Sequence, residues 1–347
     1  MPTRVVTGPT EVAGTAWGLC EALAAAGGEC DVVLWAPPPS RYPSGRVLAR
    51  GERTRFAVTA PSRYDVFHYH YGSTWARFVD AAWARARGRT LVVRYHGDDC
   101  RLHSVAQRRF PARARVVPPA GDAALRRRMR RLARYCHAAL VADLELAAYV
   151  RPFYGRVYVT PLALHPPSRP QASASGPRPR PVVVHASTAP EVKGTPLITA
   201  AVEAAATRVS LDYRLLVNEP HQRVQQELND ADVVIDQLNS VTSGVFALEA
   251  LRLGVPVLGE LDPDALAPYQ RELPVVRVTP ETLEHELERV IGDETLRAEL
   301  RRSGRDYVER IYEPAKIGRT MLAIYEHART GPPGLYHATA DGIEALE

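Results

Sequence analysis

The sequence predicts an α/β protein made of two Rossmann-like domains in series, and three observations lead there. Short apolar runs alternate with amphipathic stretches from the amino terminus to residue 165, the pattern of a mostly parallel sheet covered on both faces by helices. Residues 166–181, PPSRPQASASGPRPRP, cannot build a core and read as a linker. The alternation then restarts at residue 182. A length of 347 residues with 46% apolar and 24% charged content suits two globular domains.

In the first domain, residues 1–165, apolar runs predict strands over 4–7, 31–35, 66–70, 90–95, 139–142 and 157–160. Helices are predicted over 15–26, 73–87 and 122–136. In the last of these, Leu125, Met129, Leu132 and Cys136 recur at i, i+4, i+7 and i+11. They form one apolar stripe, which turns Arg126, Arg127, Arg128, Arg130 and Arg131 to the opposite face. The second domain, 182–312, carries predicted strands over 182–185, 213–217, 232–236, 255–258 and 275–278, with helices over 195–206, 221–229 and 246–253. Pro196 suits the first turn of helix 195–206. A carboxyl-terminal helix over 313–330 aligns Ile317, Met321, Ile324 and Tyr325, so it is expected to dock on a domain, crossing back to the first. After Gly331-Pro332-Pro333-Gly334 the tail, 331–347, is expected to be weakly ordered.

Cys20, Cys30, Cys100 and Cys136 show no C-x-x-C spacing, which indicates neither a zinc site nor a disulfide framework; reduced thiols are expected. No run of about 18 apolar residues occurs, and the amino terminus enters a strand directly, so a cytoplasmic location is expected. The net charge of +5 raises the question of a polyanionic partner. No aromatic residues interleave with the arginines of 126–131, which argues against nucleic acid. Two readings of those arginines remain: a solvated helix face, or weak peripheral contact with anionic lipid or an acidic acceptor. Oligomeric state is not legible.

Lysine occurs only at Lys193 and Lys316 among 44 basic residues, so arginine is the default cation and Lys193 stands out. It lies in the loop between strand 182–185 and helix 195–206. Open α/β sheets bind ligands at the carboxyl ends of their strands, where helix N–H groups favour anions. Lys193 is therefore a phosphate ligand or a solvated loop cation. In residues 239–257, NSVTSGVFALEALRLGVPV, a polar loop enters a helix. Gly244 permits close backbone approach, and the N–H groups of Val245 and Phe246 point toward an anion. Glu249, further into that helix, could hold a ribose diol or serve the helix dipole.

Gly244, Glu249-Ala250, Gly254 and Pro256-Val257 resemble the G-x4-E-A-x3-G-x-P-V segment of GT-B glycosyltransferases, especially the retaining family 4. STAPEVKGT, 187–195, is similar to that family's phosphate-binding loop, and GRDYVE, 304–309, to its entry into the last helices. The resemblance implies the GT-B fold, two Rossmann-like domains facing across a cleft, with the nucleotide sugar held by the second and the acceptor by the first. It implies that Lys193 contacts the donor diphosphate, that Glu249 holds the ribose, and that Gly244 and Val245 lie beside the phosphates or the sugar. Phe246, Ser187, Thr188 and Asn218, directly after strand 213–217, complete the donor set. Two departures stand out: Ser187 and Thr188 occupy a loop in which the family usually carries an Arg, and Val241 occupies the place of the first Glu of the family's E-x7-E pair.

In the first domain, Gly8-Pro9-Thr10-Glu11-Val12-Ala13-Gly14-Thr15 links a strand to a helix, and the family uses its corresponding loop beside acceptor and phosphates; Gly8, Gly14 and Thr15 are assigned there. Arg94-Tyr95-His96-Gly97-Asp98-Asp99 resembles the family's strand-terminal His-Gly-x-Asp, which gives His96 a contact with the transferred sugar or, as a bare histidine, a structural role. His68 and His70 alternate on one strand and share a face; no third ligand accompanies them, so they are assigned to the acceptor side instead of a metal. Asp98-Asp99 and Asp262-Pro263-Asp264 read as solvated turns. Together these readings imply a metal-independent, retaining glycosyltransferase that takes a nucleoside-diphosphate sugar, UDP-sugar first, as co-substrate and needs no cofactor. An epimerase or a C–N or C–S bond-forming transferase of the same fold, and a catalytically silent nucleotide-sugar-binding protein, are the alternatives.

Overall fold

A computed structural model describes residues 2–38, 41–43, 45–165 and 178–346. Residues 166–177 of the expected linker lie outside the described residues. The chain divides into two compact units, Met1–Pro166 with Tyr312–Glu347, and Pro167–Ile311. Strands are numbered along the chain: β1 (Arg4–Gly8), β2 (Glu29–Leu34), β3 (Arg46–Val47), β4 (Val66–His70), β5 (Thr90–Arg94), β6 (Ala138–Val141), β7 (Arg156–Val159), β8 (Val182–Ser187), β9 (Asp212–Val217), β10 (Val233–Ile235), β11 (Val257–Gly259), β12 (Val275–Arg277), β13 (Gly334–Thr339) and β14 (Gly342–Ala345).

The first unit is built on a nine-stranded sheet of order β14-β13-β7-β6-β5-β4-β1-β2-β3. It is parallel except for the β13–β14 pair. Its central strands β4, β5 and β6 are buried at every position, which is why they read as unbroken apolar runs and not as alternations. One face is covered by helices Thr15–Ala25 and Pro314–Thr330. Ile317, Met321, Ile324 and Tyr325 pack there with Val5, Leu23, Val66, Val92, Leu140 and Tyr158. The two helices meet at Gly318, where an added Cβ would stand 2.0 Å from the Ala22 carbonyl oxygen. The carboxyl-terminal helix thus belongs to the first unit.

The second unit carries a five-stranded parallel sheet of order β12-β11-β10-β8-β9. Val183, Val233, Ile235 and Leu258 pack against Ile198 and Val202 of helix Thr195–Ala205 and against Leu283 and Leu287 of helix Leu283–Gly292. Each such side chain contributes about 1.5–3 kcal/mol of apolar burial.

Four expectations need correction. The tail is not weakly ordered: β13 pairs in parallel with β7 and turns back into β14, with Tyr336 stacked on Tyr158. Cys20 and Cys30 form a disulfide instead of staying reduced, because the turn between helix Thr15–Ala25 and β2 brings their Cα atoms to 4.9 Å, whereas Cys100 and Cys136 are free and buried. The helix expected over 73–87 covers only Val79–Ala86. The buried Asp80 carboxylate accepts the N–H groups of Trp75 and Ala76 and holds residues 74–78 in a turn, with Phe78 left-handed. Asp99 is not solvated: it is fully buried and accepts the N–H groups of His96 and Gly97, with burial pushing its pKa up to about 6.

Candidate functional site

The second unit gathers its polar groups at the carboxyl ends of β8, β10 and β11. After Ser187, which is buried and accepts the Ala189 N–H, the chain makes a single helical turn, Pro190–Lys193. It re-enters helix Thr195–Ala205 through Gly194 at φ 71°. A side chain at Gly194 would also stand 2.8 Å from the Leu238 Cβ, so glycine is required for both conformation and space. The Leu238 N–H bonds the Lys193 carbonyl at 3.0 Å, tying this turn to the loop after β10.

Asp236, at the end of β10, is 1% exposed. Its Oδ2 accepts the Gly244 N–H at 2.9 Å, and its Oδ1 has no partner among the described residues. Burial raises its pKa, while the Lys193 ammonium and the Gly244 N–H oppose that shift. Lys193, Asp236 and the amino end of helix Val245–Leu253 therefore form one electrostatic cluster. An added Cβ at Gly244 would meet nothing closer than 3.7 Å. Those at that distance are ordinary contacts, with the Asp236 carboxylate and the Gln237 amide, so the chain's own packing does not demand glycine there.

Beneath this cluster His185 is fully buried. Its Nδ1 lies 2.9 Å from the Ile235 carbonyl, so Nδ1 carries the proton; its Nε2 lies 2.9 Å from Thr195 Oγ1, which donates to it. Burial, reinforced by Lys193, pushes its pKa down to about 4. The other expected donor residues spread out. Glu249 is buried one turn into its helix with Oε1 2.9 Å from His221 Nε2. Val245 is half-buried and Phe246 buried, while Thr188 and Asn218 are exposed at the rim. Val241 is buried, its carbonyl accepting the Asp262 N–H, so no carboxylate stands at that position. Asp236 and His221 are the residues that sequence reasoning missed. The position of Asp236 at a strand's carboxyl end was the available signal.

The first unit places its histidines in a row. β4 and β5 pair in parallel with His70 opposite Arg94, which sets His96 just beyond. His70 Nδ1 lies 2.9 Å from His96 Nε2, with the rings stacked at 5.2 Å. His68 stacks on His70 at 4.9 Å and reaches Tyr325 OH at 2.8 Å through Nδ1. His68 and His70 are 0% and 1% exposed, so they lie under helix Pro314–Thr330 and do not line an open acceptor surface. Burial holds both well below the usual imidazole range and His96 at about 3, with Arg94 adding to each shift. All three are neutral, and only His96 reaches the surface.

Gly8 and Gly14 bracket the expected phosphate loop, and Thr15 opens the helix, its hydroxyl donating to the Val12 carbonyl. Here the chain supplies its own anion. The Glu11 carboxylate accepts the N–H groups of Ala16 and Trp17, both at 3.1 Å, so those two donors are committed internally.

No protein-family model matches the sequence, and no curated protein matches it. Solved structures do. The chain is similar to sucrose-phosphate synthase from Thermosynechococcus elongatus, with a TM-score of 0.63 at 15% identity over 94% of this chain and 99% of that one. It is equally similar to HepE from Anabaena in complex with UDP and glucose, with a TM-score of 0.63 at 14% identity over 93% and 98%. A protein assigned as a UDP-N-acetylglucosamine 2-epimerase, from Listeria monocytogenes, follows with a TM-score of 0.53 at 14% identity over 96% and 99%. The fold is that of the GT-B glycosyltransferases, with two Rossmann-like sheets. Among the described residues no helix is long and apolar enough to cross a membrane.

Proposed function

We propose that the protein is a glycosyltransferase that moves a sugar from a nucleoside diphosphate, UDP first among candidates, to a hydroxyl of a small-molecule or glycan acceptor, with retention and without a metal. One observation carries the reading: Lys193 and the amino end of helix Val245–Leu253 converge at the carboxyl end of β10, on either side of Asp236. A mobile ammonium and unpaired helix N–H groups form a diphosphate site. Ser187 and Thr188 add hydroxyls from the adjoining loop, and Glu249 takes the ribose in place of its bond to His221. Buried Asp236 accepts the Gly244 N–H and so fixes the entry to the helix that meets the phosphates. His96 keeps Nδ1 for the transferred sugar, since its Nε2 is held by His70. Charge neutralisation of the departing diphosphate by Lys193 and the helix is the main rate contribution. The leaving phosphate takes the acceptor's proton.

Titration calorimetry with UDP, GDP, ADP and TDP tests this. Micromolar binding of one nucleotide is expected, weakened about ten- to a hundredfold in Lys193→Ala, the range of one lost charge-assisted contact. Absence of binding by the folded protein across the panel would sink the assignment. A nucleotide-sugar epimerase is the second reading, favoured by the likeness to the Listeria structure. Conversion of the donor sugar in the absence of any acceptor, followed by NMR, would establish it instead.

A further inference from the structure

We propose that the first unit docks on an anionic bilayer through a surface formed by helices Val79–Ala86 and Asp122–Ala133. Helix Asp122–Ala133 buries Met129 and Leu132 and turns Arg127, Arg130 and Arg131 outward, with Arg134 just beyond its end. Among the described residues, no carboxylate pairs with any of these four. The sequence holds no Asp or Glu from residue 123 to 142 or from 81 to 97, and Asp80 is buried. A shallow surface cavity of 570 Å³ lies between Arg126, Arg130 and Arg134 on one side and Pro152 and Phe153 on the other. Three cations around an apolar wall suit a phosphodiester headgroup and its acyl shoulder.

The neighbouring helix supplies what a merely solvated basic face lacks. Val79 is 67% exposed, Trp83 42%, and Val58, whose carbonyl accepts the Trp83 indole N–H at 3.1 Å, 60%. The Arg131 guanidinium lies 4.4 Å from the Phe78 ring centroid, which joins this apolar stripe to the arginine helix, and Arg87 sits 5.5 Å from the Trp83 ring. Arg77, Arg85 and Arg87 are exposed around it. Aliphatic and indole side chains ringed by unpaired arginines match a bilayer interface, where apolar groups insert and cations meet phosphates. Of the stripe's three exposed members two, Val58 and Val79, are aliphatic and only Trp83 offers bases a face to stack on, so the surface suits a bilayer better than a nucleic acid. The surface is independent of the nucleotide site in the other unit, so it stands whether or not that site is correct.

Co-sedimentation of the full chain with phosphatidylcholine vesicles, with and without about 30% phosphatidylglycerol, tests the proposal. Binding is expected to the anionic vesicles only and to fall as salt rises. Because each surface arginine contributes about fivefold, Arg127→Gln/Arg130→Gln/Arg134→Gln is expected to lose about a hundredfold. Val79→Ser is expected to lose about fivefold, in a part that salt does not screen. All four positions are exposed, and unchanged circular dichroism confirms folding. No binding to anionic vesicles, equal binding to neutral ones, an unaffected triple variant, or displacement from vesicles by equimolar single-stranded DNA would each overturn the proposal.

Discussion

Acid should destabilise the second unit through His185. With Nδ1 donating to the Ile235 carbonyl and Nε2 accepting from Thr195, the folded state holds a neutral imidazole whose pKa lies at about 4. The unfolded chain titrates near 6.5. Between those values the unfolded state binds the extra proton, so stability is fully present above about pH 6.5 and is lost as pH falls toward 4. From pH 7 to pH 5 the loss is about 2 kcal/mol for this one group, close to the 1.5 units between 6.5 and 5 at about 1.4 kcal/mol each. His185→Asn keeps a donor for the Ile235 carbonyl but removes the titration. The wild type should therefore lose about 2 kcal/mol more than the variant over that interval. All four tryptophans, Trp17, Trp35, Trp75 and Trp83, lie in the first unit, so their fluorescence does not report on β8. Amide hydrogen exchange of residues 182–187 does. Equal losses of protection in wild type and variant from pH 7 to pH 5 would show that His185 is not held neutral as described.

Three further outcomes are expected. Asp236→Ala, which takes the acceptor from the Gly244 N–H at the entry to helix Val245–Leu253, should weaken UDP about tenfold, while Asp236→Asn, which keeps an acceptor there, should stay within about threefold; equal UDP affinities of the two variants in calorimetry would place Asp236 elsewhere. Gly318→Ala should lower the melting temperature of the first unit by about 4–10 °C, from roughly 1–3 kcal/mol of overpacking against Ala22, read by tryptophan fluorescence. Reducing Cys20–Cys30 should cost the first unit about 2–3 kcal/mol, the chain-entropy value for so short a loop, measured as a shift in urea midpoint with and without dithiothreitol.

How much of this was legible depended on whether a residue's partner lay nearby in the chain. β1, β4, β5, β8 and β10 could be read because central parallel strands are buried on both faces, and Gly244 because its loop announces itself. Helices Glu52–Thr59 and His103–Arg109 escaped: each buries a single residue, so neither carries an apolar stripe. β13 escaped because Gly331-Pro332-Pro333-Gly334 reads as a terminus, while its burial depends on β7, far upstream.

The site shows the same division more sharply. Lys193 was conspicuous as a rare residue type in a loop, yet its electrostatic counterpart Asp236 looks like any strand-terminal carboxylate until parallel pairing of β8 with β10 sets it beside that loop. His68 and His70 read as a pair from alternation alone. That His96 completes the row follows from the β4–β5 register, which the sequence does not state but a Rossmann topology nearly imposes: neighbouring parallel strands entering at the same level leave at the same level, so residues just past two strand ends become neighbours. Glu11 shows where such reasoning stops. Its loop reads as an anion site by its glycines and the helix that follows. Only the folded chain shows that the anion on those N–H groups is its own carboxylate, raised in pKa by burial yet held by Ala16 and Trp17. A phosphate could use that helix end only by displacing Glu11, so any phosphate binding by the first unit should strengthen in Glu11→Ala.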